Sequence, residues 1–286
     1  MPPVRVSPPR IVPAAGHAPK PPLGTPSADA HRQTSFVLGA ETDLILRGLE
    51  LEGRVGEASS GAKFRKQLTA AALGLWSRAW LSRQQALHAI EWGNYAAVPA
   101  LVRAAADFQA AQLYLLREGG AEWQEWLDSG GIALAPAEHA TEFRLHAFRA
   151  AEVLAVHEIL GPLYRASTAL SLPHFGATLL LAGSESTPER VLMTFGDRDF
   201  HLGLAELCVG WLLSLGVAQL EAVTEVRGVF AAPEAGAIAA WASEARATLA
   251  GASRCRMEGV EVDGAPRYLL QNWRRAPGGA PKKVLL

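Results

Sequence analysis

Apolar residues that recur at three- and four-residue steps constrain this fold more than any other feature of the sequence. The longest such stripe comprises Phe64, Leu68, Ala71, Leu75, Ala79, Ala86 and Ile90. A helical turn takes 3.6 residues, so these side chains share one face of a long amphipathic helix. A second stripe, from Val98 to Leu115, follows the turn at Gly93 and Asn94. Because the connection is short, we expect the two helices to be antiparallel neighbours.

The rest of the central region also predicts helices, and they end at glycine or proline. Asn94 is a candidate N-cap of the second helix, and either Asp197 or Asp199 is a candidate cap of a buried helix that runs to about Val226. The other expected helices are a first one that starts after Thr34 and is weakened by Gly48 and Gly53, a third long one from Ala137 to Gly161, a short one over Tyr164–Leu170, and a last one from Pro233 to Leu249. The predicted fold class is all-α, a multi-helix bundle with long antiparallel helices.

The two ends of the chain differ from this body. Half of the 18 prolines lie in residues 1–33, which predicts a disordered Pro-rich arm before a helical-bundle domain over 34–251. Residues 252–286 are predicted to hold a small β-hairpin and a flexible tail, because Asp263-Gly264 separates two strand-like runs. Pro266 favours a loop longer than two residues, and the chain from Gly278 onwards is expected to fray.

Composition limits the class of protein. With 49% hydrophobic residues, 19% charged residues and a net charge of -1, the chain has enough apolar material for a core and lacks a basic footprint for nucleic acid. Two cysteines support neither a disulfide framework nor a thiolate zinc site. The apolar run Leu202–Val223 contains Glu206 and Glu221, so it is predicted to be a buried helix rather than a membrane span. No export signal is visible, which predicts a cytoplasmic protein. No cofactor is predicted.

Histidines on the third predicted helix are the candidates for metal binding. His139, His146 and His157 lie on one face, but a helix spaces them by about 10 and 16 Å, too far apart to share one ion. Glu142 and His146 are four residues apart and could flank an ion together with His139 or His88. The repeated Glu-x-x-His signature of di-iron bundles is absent from the sequence. A bound metal is therefore not the favoured interpretation.

Common catalytic motifs are also missing. The sequence has no G-x-S-x-G nucleophile elbow, no phosphate-binding G-x-x-x-x-G-K-[ST] loop and no G-x-G-x-x-G turn. Alternating Asp197, Asp199 and His201 lack the glycine and the distal glutamate of a calcium loop, so helix capping explains them better. The first half of the chain is rich in tryptophan, which favours packing in the core or at an interface: Trp76, Trp80, Trp92, Trp123 and Trp126.

The second helix carries a weak family resemblance. Residues 95–107 contain alanine, a two-residue gap, leucine, Arg103 and then the acidic Asp107, and Tyr164 precedes His174 in a later segment. This pattern resembles a group of poorly characterised bacterial helical proteins, some of them similar to HEPN-type bundles, over about a third of the chain. It departs from the group because Asp107 stands where glutamate is usual, and because Pro173 lengthens the Tyr-to-His spacing.

The resemblance implies a helical bundle with a buried polar cluster of Arg103, Asp107, Tyr164 and His174. HEPN ribonucleases use an arginine and a histidine four to six residues apart, whereas Arg165 and His174 are farther apart in this chain. The leading prediction is a helical scaffold or interaction protein, homo-oligomeric through its Trp-rich helices or bound to a protein partner, or else a bundle that binds a small ligand. The alternatives are an RNA-cleaving enzyme that uses His174 or His157, and a metal-binding bundle.

Overall fold

The computed structural model describes residues 14–60, 67–117, 150–183, 186–187, 189–226, 229–231 and 234–286. These residues form α-helices, a 3-10 turn at Tyr95–Ala97 and a C-terminal antiparallel sheet, which confirms a mostly helical protein with a small β appendage. The helices are α1 (Pro26–Ser60), α2 (Gln67–Glu91), α3 (Val98–Leu116), α4 (Ala150–Val156), α5 (Leu160–Ser171), α6 (Phe175–Ala182), α7 (Leu202–Glu225) and α8 (Ala235–Leu249), and the strands are β1 (Arg256–Val262), β2 (Ala265–Trp273) and β3 (Lys282–Leu285).

Helix α7 is the centre of the core. It contacts α1, α2, α3 and α8, and Leu212, Leu213, Leu215 and Leu220 are among its fully buried side chains. A helix that is apolar on all faces must be surrounded by other elements. Among the described residues it is the helix long and apolar enough to cross a membrane, but 83% of that apolar window is buried within the protein. The prediction of a buried helix is confirmed, and this burial is typical of the core helix of a soluble protein.

Helices α2 and α3 form the most extensive helix–helix contact, as their two apolar stripes predict. Pro99 lies in the first turn of α3, where its missing amide hydrogen costs no helical bond. Asn94 precedes the 3-10 turn and makes no capping bond with its side chain, so its predicted role as a cap is wrong. The antiparallel orientation of the long helices stays a prediction.

The N-terminal arm ends earlier than the sequence suggested. Helix α1 begins at Pro26, inside the predicted arm of residues 1–33, because proline fits the first turn of a helix. Residues 14–25 lie against the C-terminal half of α2. His88 Nε2 bonds to the Gly16 carbonyl at 2.8 Å, and the Trp92 indole donates to the Pro19 carbonyl at 2.8 Å. Side chains at the end of α2 and just after it thus bind backbone carbonyls of residues 14–25. We call residues 14–25 the N-terminal strap.

Glycines allow the helices to approach closely. A Cβ on Gly48 of α1 would lie 2.5 Å from the Trp241 ring, and one on Gly216 of α7 would lie 2.7 Å from the same ring. The Trp241 indole donates to the Leu44 carbonyl at 2.8 Å, which fixes the ring between the two helices. Helix α1 continues through Gly48, with a kink at Leu38. The packing of Trp241 requires a residue without a side chain at this position.

The C-terminal sheet is larger than the predicted hairpin. Strands β1 and β2 pair through a two-residue turn, since Val262 faces Ala265 and both Asp263 and Gly264 have positive φ. The expectation of a longer loop is wrong, because Pro266 falls on the strand after the turn rather than within it. Residues beyond Gly278 do not fray: β3 pairs with β2, and Leu286 and Tyr268 exchange two backbone hydrogen bonds.

Charged side chains attach the sheet to the core helix. The Cys255 amide donates to Glu206 Oε2 at 2.9 Å, and Arg274 donates to Glu206 Oε1 at 3.0 Å. Arg254 donates to the Glu206 carbonyl at 3.0 Å and lies 2.5 Å from Glu41 of α1. Burial raises the pKa of the Cys255 thiol to about 12, so this cysteine is an unreactive thiol at neutral pH. Glu206, expected to mark α7 as unsuited to a membrane, is thus the carboxylate that holds the sheet in place.

Two predicted boundaries in the middle of the chain change. The third long helix was expected to run from Ala137 to Gly161, and its first part lies outside the described residues. The described part ends at Val156, and Gly161-Pro162 belongs to the first turn of α5 rather than to a break. The short helix over Tyr164–Leu170 is confirmed as part of α5, and α6 was not predicted.

Candidate ligand-binding site

The structure brings together part of the predicted polar cluster. Arg103 of α3 donates to the Tyr164 hydroxyl of α5 at 3.4 Å, and its guanidinium carbon lies 5.5 Å from the centre of the Tyr164 ring. Asp107 is half-buried one turn further along α3. The Arg103–Tyr164 contact therefore joins α3 to α5, as a packing interaction between two half-buried side chains.

His174 has a different role. It is exposed at the start of α6, where its Nδ1 accepts the Ala177 amide at 3.2 Å. Its Nε2 bonds to the Ala169 carbonyl at 2.7 Å. Both ring nitrogens are therefore occupied by backbone groups, and the side chain acts as a helix cap that links α6 to α5. The sequence could not separate this capping role from a role in the cluster.

The metal candidates His139, Glu142 and His146 lie outside the described residues. Within the part of the chain that the structure describes, no group of three or more His, Cys, Asp or Glu side chains is placed to hold a metal ion. His88, the candidate on α2, binds the N-terminal strap through the Gly16 carbonyl.

A concave site lies where α3, α4 and α7 meet. Its cavity has a volume of about 360 Å³, within the range of roughly 300–1,000 Å³ typical of small-molecule pockets. We call it the α3–α4–α7 cavity. Its apolar wall is formed by Leu113, Leu116, Val153, Val156, Ala218 and Ala222. Such a wall suits the apolar body of a small ligand, because water leaves both surfaces when the ligand enters.

Four polar side chains complete the lining: Arg117, His157, Glu221 and Glu225. His157 Nδ1 accepts the Ile159 and Leu160 amides at 3.2 and 3.3 Å, so it caps the start of α5. Burial lowers the pKa of His157, and the nearby carboxylates of Glu225, Glu158 and Glu221 offset only part of that effect. The imidazole is therefore neutral at pH 7, and its Nε2–H remains available to a ligand.

A second, much smaller polar recess lies at the start of α7. His201, not the predicted Asp197 or Asp199, caps this helix: its Nδ1 accepts the Leu204 amide at 3.3 Å. Asp197 instead accepts the Asp199 amide, and Asp199 pairs with Arg275 at 3.3 Å. Burial lowers the pKa of His201 to about 4, and its ring packs on Trp273 with 4.3 Å between the ring centres. The cap is thus held neutral by the apolar side chain that covers it.

The α3–α4–α7 cavity was missed from sequence because its lining comes from three distant parts of the chain. The apolar lining residues belong to helical stripes that core packing explains. His157 belongs to the set of histidines on the third predicted helix. One local signal existed: Glu221 and Glu225 interrupt the polar-poor C-terminal half of α7 at a spacing of one turn.

Comparison of the chain with protein-family models, with curated proteins and with solved structures finds no match. The resemblance to HEPN-type bundles therefore stays a prediction.

Proposed function

We propose that this protein binds a small ligand with an apolar body in the α3–α4–α7 cavity. The observation that supports the proposal is the cavity itself. It has a volume of about 360 Å³, an apolar wall from three helices and four polar side chains in its lining. Each methylene group of a ligand that the wall removes from water contributes about 0.8 kcal/mol. The polar groups would orient such a ligand, as they do in most small-molecule sites.

The RNA-cleaving alternative receives less support from the same geometry. A general base needs a ring nitrogen that can take a proton from the substrate. Both nitrogens of His174 are bonded to backbone groups, and Nδ1 of His157 accepts two amides. Binding without chemistry is the function that these side chains fit better.

The proposal is tested with the neutral, apolar fluorophore N-phenyl-1-naphthylamine. Ala222 lines the cavity and is almost fully buried, so Ala222→Phe places a ring inside it. We expect this variant to lose at least about tenfold in affinity, a change of roughly 1.4 kcal/mol. The matched control is Ala239→Phe, an exposed position on α8, which should bind as the unchanged protein does.

Two further variants make the outcome decisive. Val156→Trp obstructs the cavity from an exposed position, so it tests the site even if Ala222→Phe does not fold by circular dichroism. Phe195→Ser removes a fully exposed ring that could bind the fluorophore nonspecifically. The proposal is wrong if folded Ala222→Phe and Val156→Trp proteins bind the fluorophore as tightly as the unchanged chain, or if Phe195→Ser alone abolishes binding.

A further inference from the structure

Three helices end at the α3–α4–α7 cavity with the same polarity. Leu116 is the last residue of α3, Val156 is the last residue of α4 and Glu225 is the last residue of α7, and all three line the cavity. The carboxyl end of a helix carries the equivalent of about half a negative charge. The backbone alone therefore makes this cavity a region of negative potential.

Side chains add to that potential. Glu221 and Glu225 line the cavity from α7, and Glu158 lies close enough to His157 to act on its titration. Among the described residues, two cations belong to this charge balance: Arg117, which lines the cavity and is exposed, and Arg246, which is paired with Glu221. The two lining carboxylates thus face one lining cation in the part of the chain that the structure describes, and the helix ends shift the balance towards negative charge.

Among the described residues, the exposed Arg117 is the one cation that lines the cavity, and it offsets only part of this field. The positive end of α5 lies beside His157, but its first free amides already donate to His157 Nδ1. The neutral imidazole adds no charge of its own. An anionic headgroup would therefore meet carboxylates and helix carboxyl ends, whereas an ammonium group would meet acceptors.

From this geometry we infer that the ligand of the α3–α4–α7 cavity is an organic cation, an amine with an apolar body whose ammonium group lies against Glu221 and Glu225. The inference rests on the proposed function, because it names the class of ligand for the same site. The ammonium group takes the place that Arg246 and solvent share beside the two carboxylates, and the apolar body contacts Leu113, Val153 and Ala222.

The test uses three probes with the same eight-carbon chain and different headgroups: n-octylammonium, n-octanol and octanoate. Isothermal titration calorimetry of the full chain at pH 7 should give the order octylammonium, then octanol, then octanoate, with at least about a tenfold advantage for the cation. Glu221→Gln/Glu225→Gln should lower octylammonium affinity by about tenfold or more and change octanol affinity by less than about twofold. The matched control is Glu258→Gln, an exposed carboxylate on β1, which should change neither.

The outcomes separate the inference from the function on which it rests. If octanol or octanoate binds as tightly as octylammonium and Ala222→Phe abolishes that binding, the cavity binds ligands but the inference of a cation is wrong. If Glu221→Gln/Glu225→Gln leaves octylammonium affinity unchanged, the inference is wrong in the same way. If none of the three probes binds and N-phenyl-1-naphthylamine does not bind either, the proposed function fails together with the inference.

Discussion

At the scale of single residues, the core contains charge as well as apolar side chains. Glu52 and Arg83 are each only 2% exposed, and they form an ion pair between α1 and α2. The Trp76 indole donates to the same carboxylate oxygen at 2.6 Å. Next to this pair, Gln109 donates to the Leu215 carbonyl of α7 at 3.1 Å. Such partners replace part of the water that these buried polar groups lose on folding.

Removal of one member of the buried pair should therefore destabilise the protein strongly. Arg83→Met leaves the Glu52 carboxylate buried with the Trp76 indole as its remaining partner, and we expect a loss of about 3–5 kcal/mol in the free energy of unfolding. The double variant Glu52→Leu/Arg83→Met removes both charges and should regain most of that loss. Urea denaturation followed by circular dichroism measures both changes.

The matched control is Arg47→Met, because Arg47 pairs with Glu244 across the exposed surface between α1 and α8. Surface pairs contribute less than about 1 kcal/mol. If Arg83→Met lowers the free energy of unfolding by no more than Arg47→Met does, the Glu52 carboxylate is not left as an uncompensated buried charge. The prediction is then wrong.

At the scale of elements, one histidine of the N-terminal strap contacts both α1 and α2. His17 Nδ1 lies 2.5 Å from Glu91 Oε1 of α2, and His17 Nε2 lies 3.0 Å from Asp43 Oδ1 of α1. A neutral imidazole has one N–H and can donate to only one of these carboxylates, so the geometry fits the imidazolium. Burial lowers the pKa of His17, but the hydrogen bonds and charges of Glu91 and Asp43 outweigh it, and the net pKa is raised.

This raised pKa gives the strap a defined dependence on pH. The contribution of His17 to stability is fully present below the unfolded pKa of about 6.5, and it is lost as the pH rises through the higher folded value. The contribution should be less than about 1 kcal/mol, because about half of the ring faces solvent. We expect the difference in unfolding free energy between the unchanged chain and His17→Asn to shrink as the pH rises from 6 to 9.

His31→Asn on α1 is the control for the loss of a histidine near the same end of the chain. Limited proteolysis within residues 14–25 should show the same trend, with faster cleavage at high pH in the unchanged chain and pH-independent cleavage in His17→Asn. A stability difference for His17→Asn that grows with pH would contradict the double ion pair.

At the scale of the whole molecule, three of the tryptophans in the first half of the chain make contacts within the chain. Trp76 is buried and meets Phe230 edge to face, with 5.4 Å between the ring centres. The Trp80 indole donates to the Leu49 carbonyl, and the Trp92 indole donates to the Pro19 carbonyl. These three rings thus have partners within the chain. The homo-oligomer predicted from sequence stays a prediction, and Trp123 and Trp126 of its expected interface lie outside the described residues.

Large apolar side chains are exposed around the start of α6 and in the segment before α7. They are Leu172, Phe175, Val191, Leu192, Met193 and Phe195. Exposed apolar side chains gathered in one stretch of a chain are typical of an interaction surface, because water disfavours them. We expect a second copy of the chain to cover this surface, since a symmetric dimer buries the same residues of both protomers.

Native mass spectrometry at micromolar concentration should therefore show a dimer for the full chain. The double variant Phe175→Ser/Phe195→Ser should be monomeric, because it removes the two aromatic rings among these exposed side chains. Leu23→Ser is the control, since Leu23 is almost fully exposed on the N-terminal strap and should not affect assembly. A strictly monomeric unchanged chain would contradict the prediction.

Much of the secondary structure could be predicted from the sequence, because the signals are local. The 3.6-residue period located α2, α3 and the buried α7, and Asp263-Gly264 located the turn between β1 and β2. Boundaries failed where a distant contact replaced a local preference. His201 caps α7 in place of Asp197 or Asp199, and Trp273 covers its ring.

The site could be predicted only in part. Arg103 and Tyr164 meet as the family resemblance implied, whereas His174 is bound to the backbone of α5 and α6. The α3–α4–α7 cavity left only the one-turn spacing of Glu221 and Glu225 as a local signal, because Leu113, His157 and Glu221 are far apart in the sequence.

The sequence by itself determined that this chain forms helices around a buried apolar helix and closes with a hairpin. Periodicity, capping residues and turn residues act within a few positions of the chain, so a single sequence contains them in full. Only the tertiary structure decided which helix ends meet at the α3–α4–α7 cavity, that residues 14–25 bind α1 and α2, and that Trp76 is buried against Phe230. Those features depend on how distant segments pack, since the free energy of burial is set by the neighbours that a side chain finds in space.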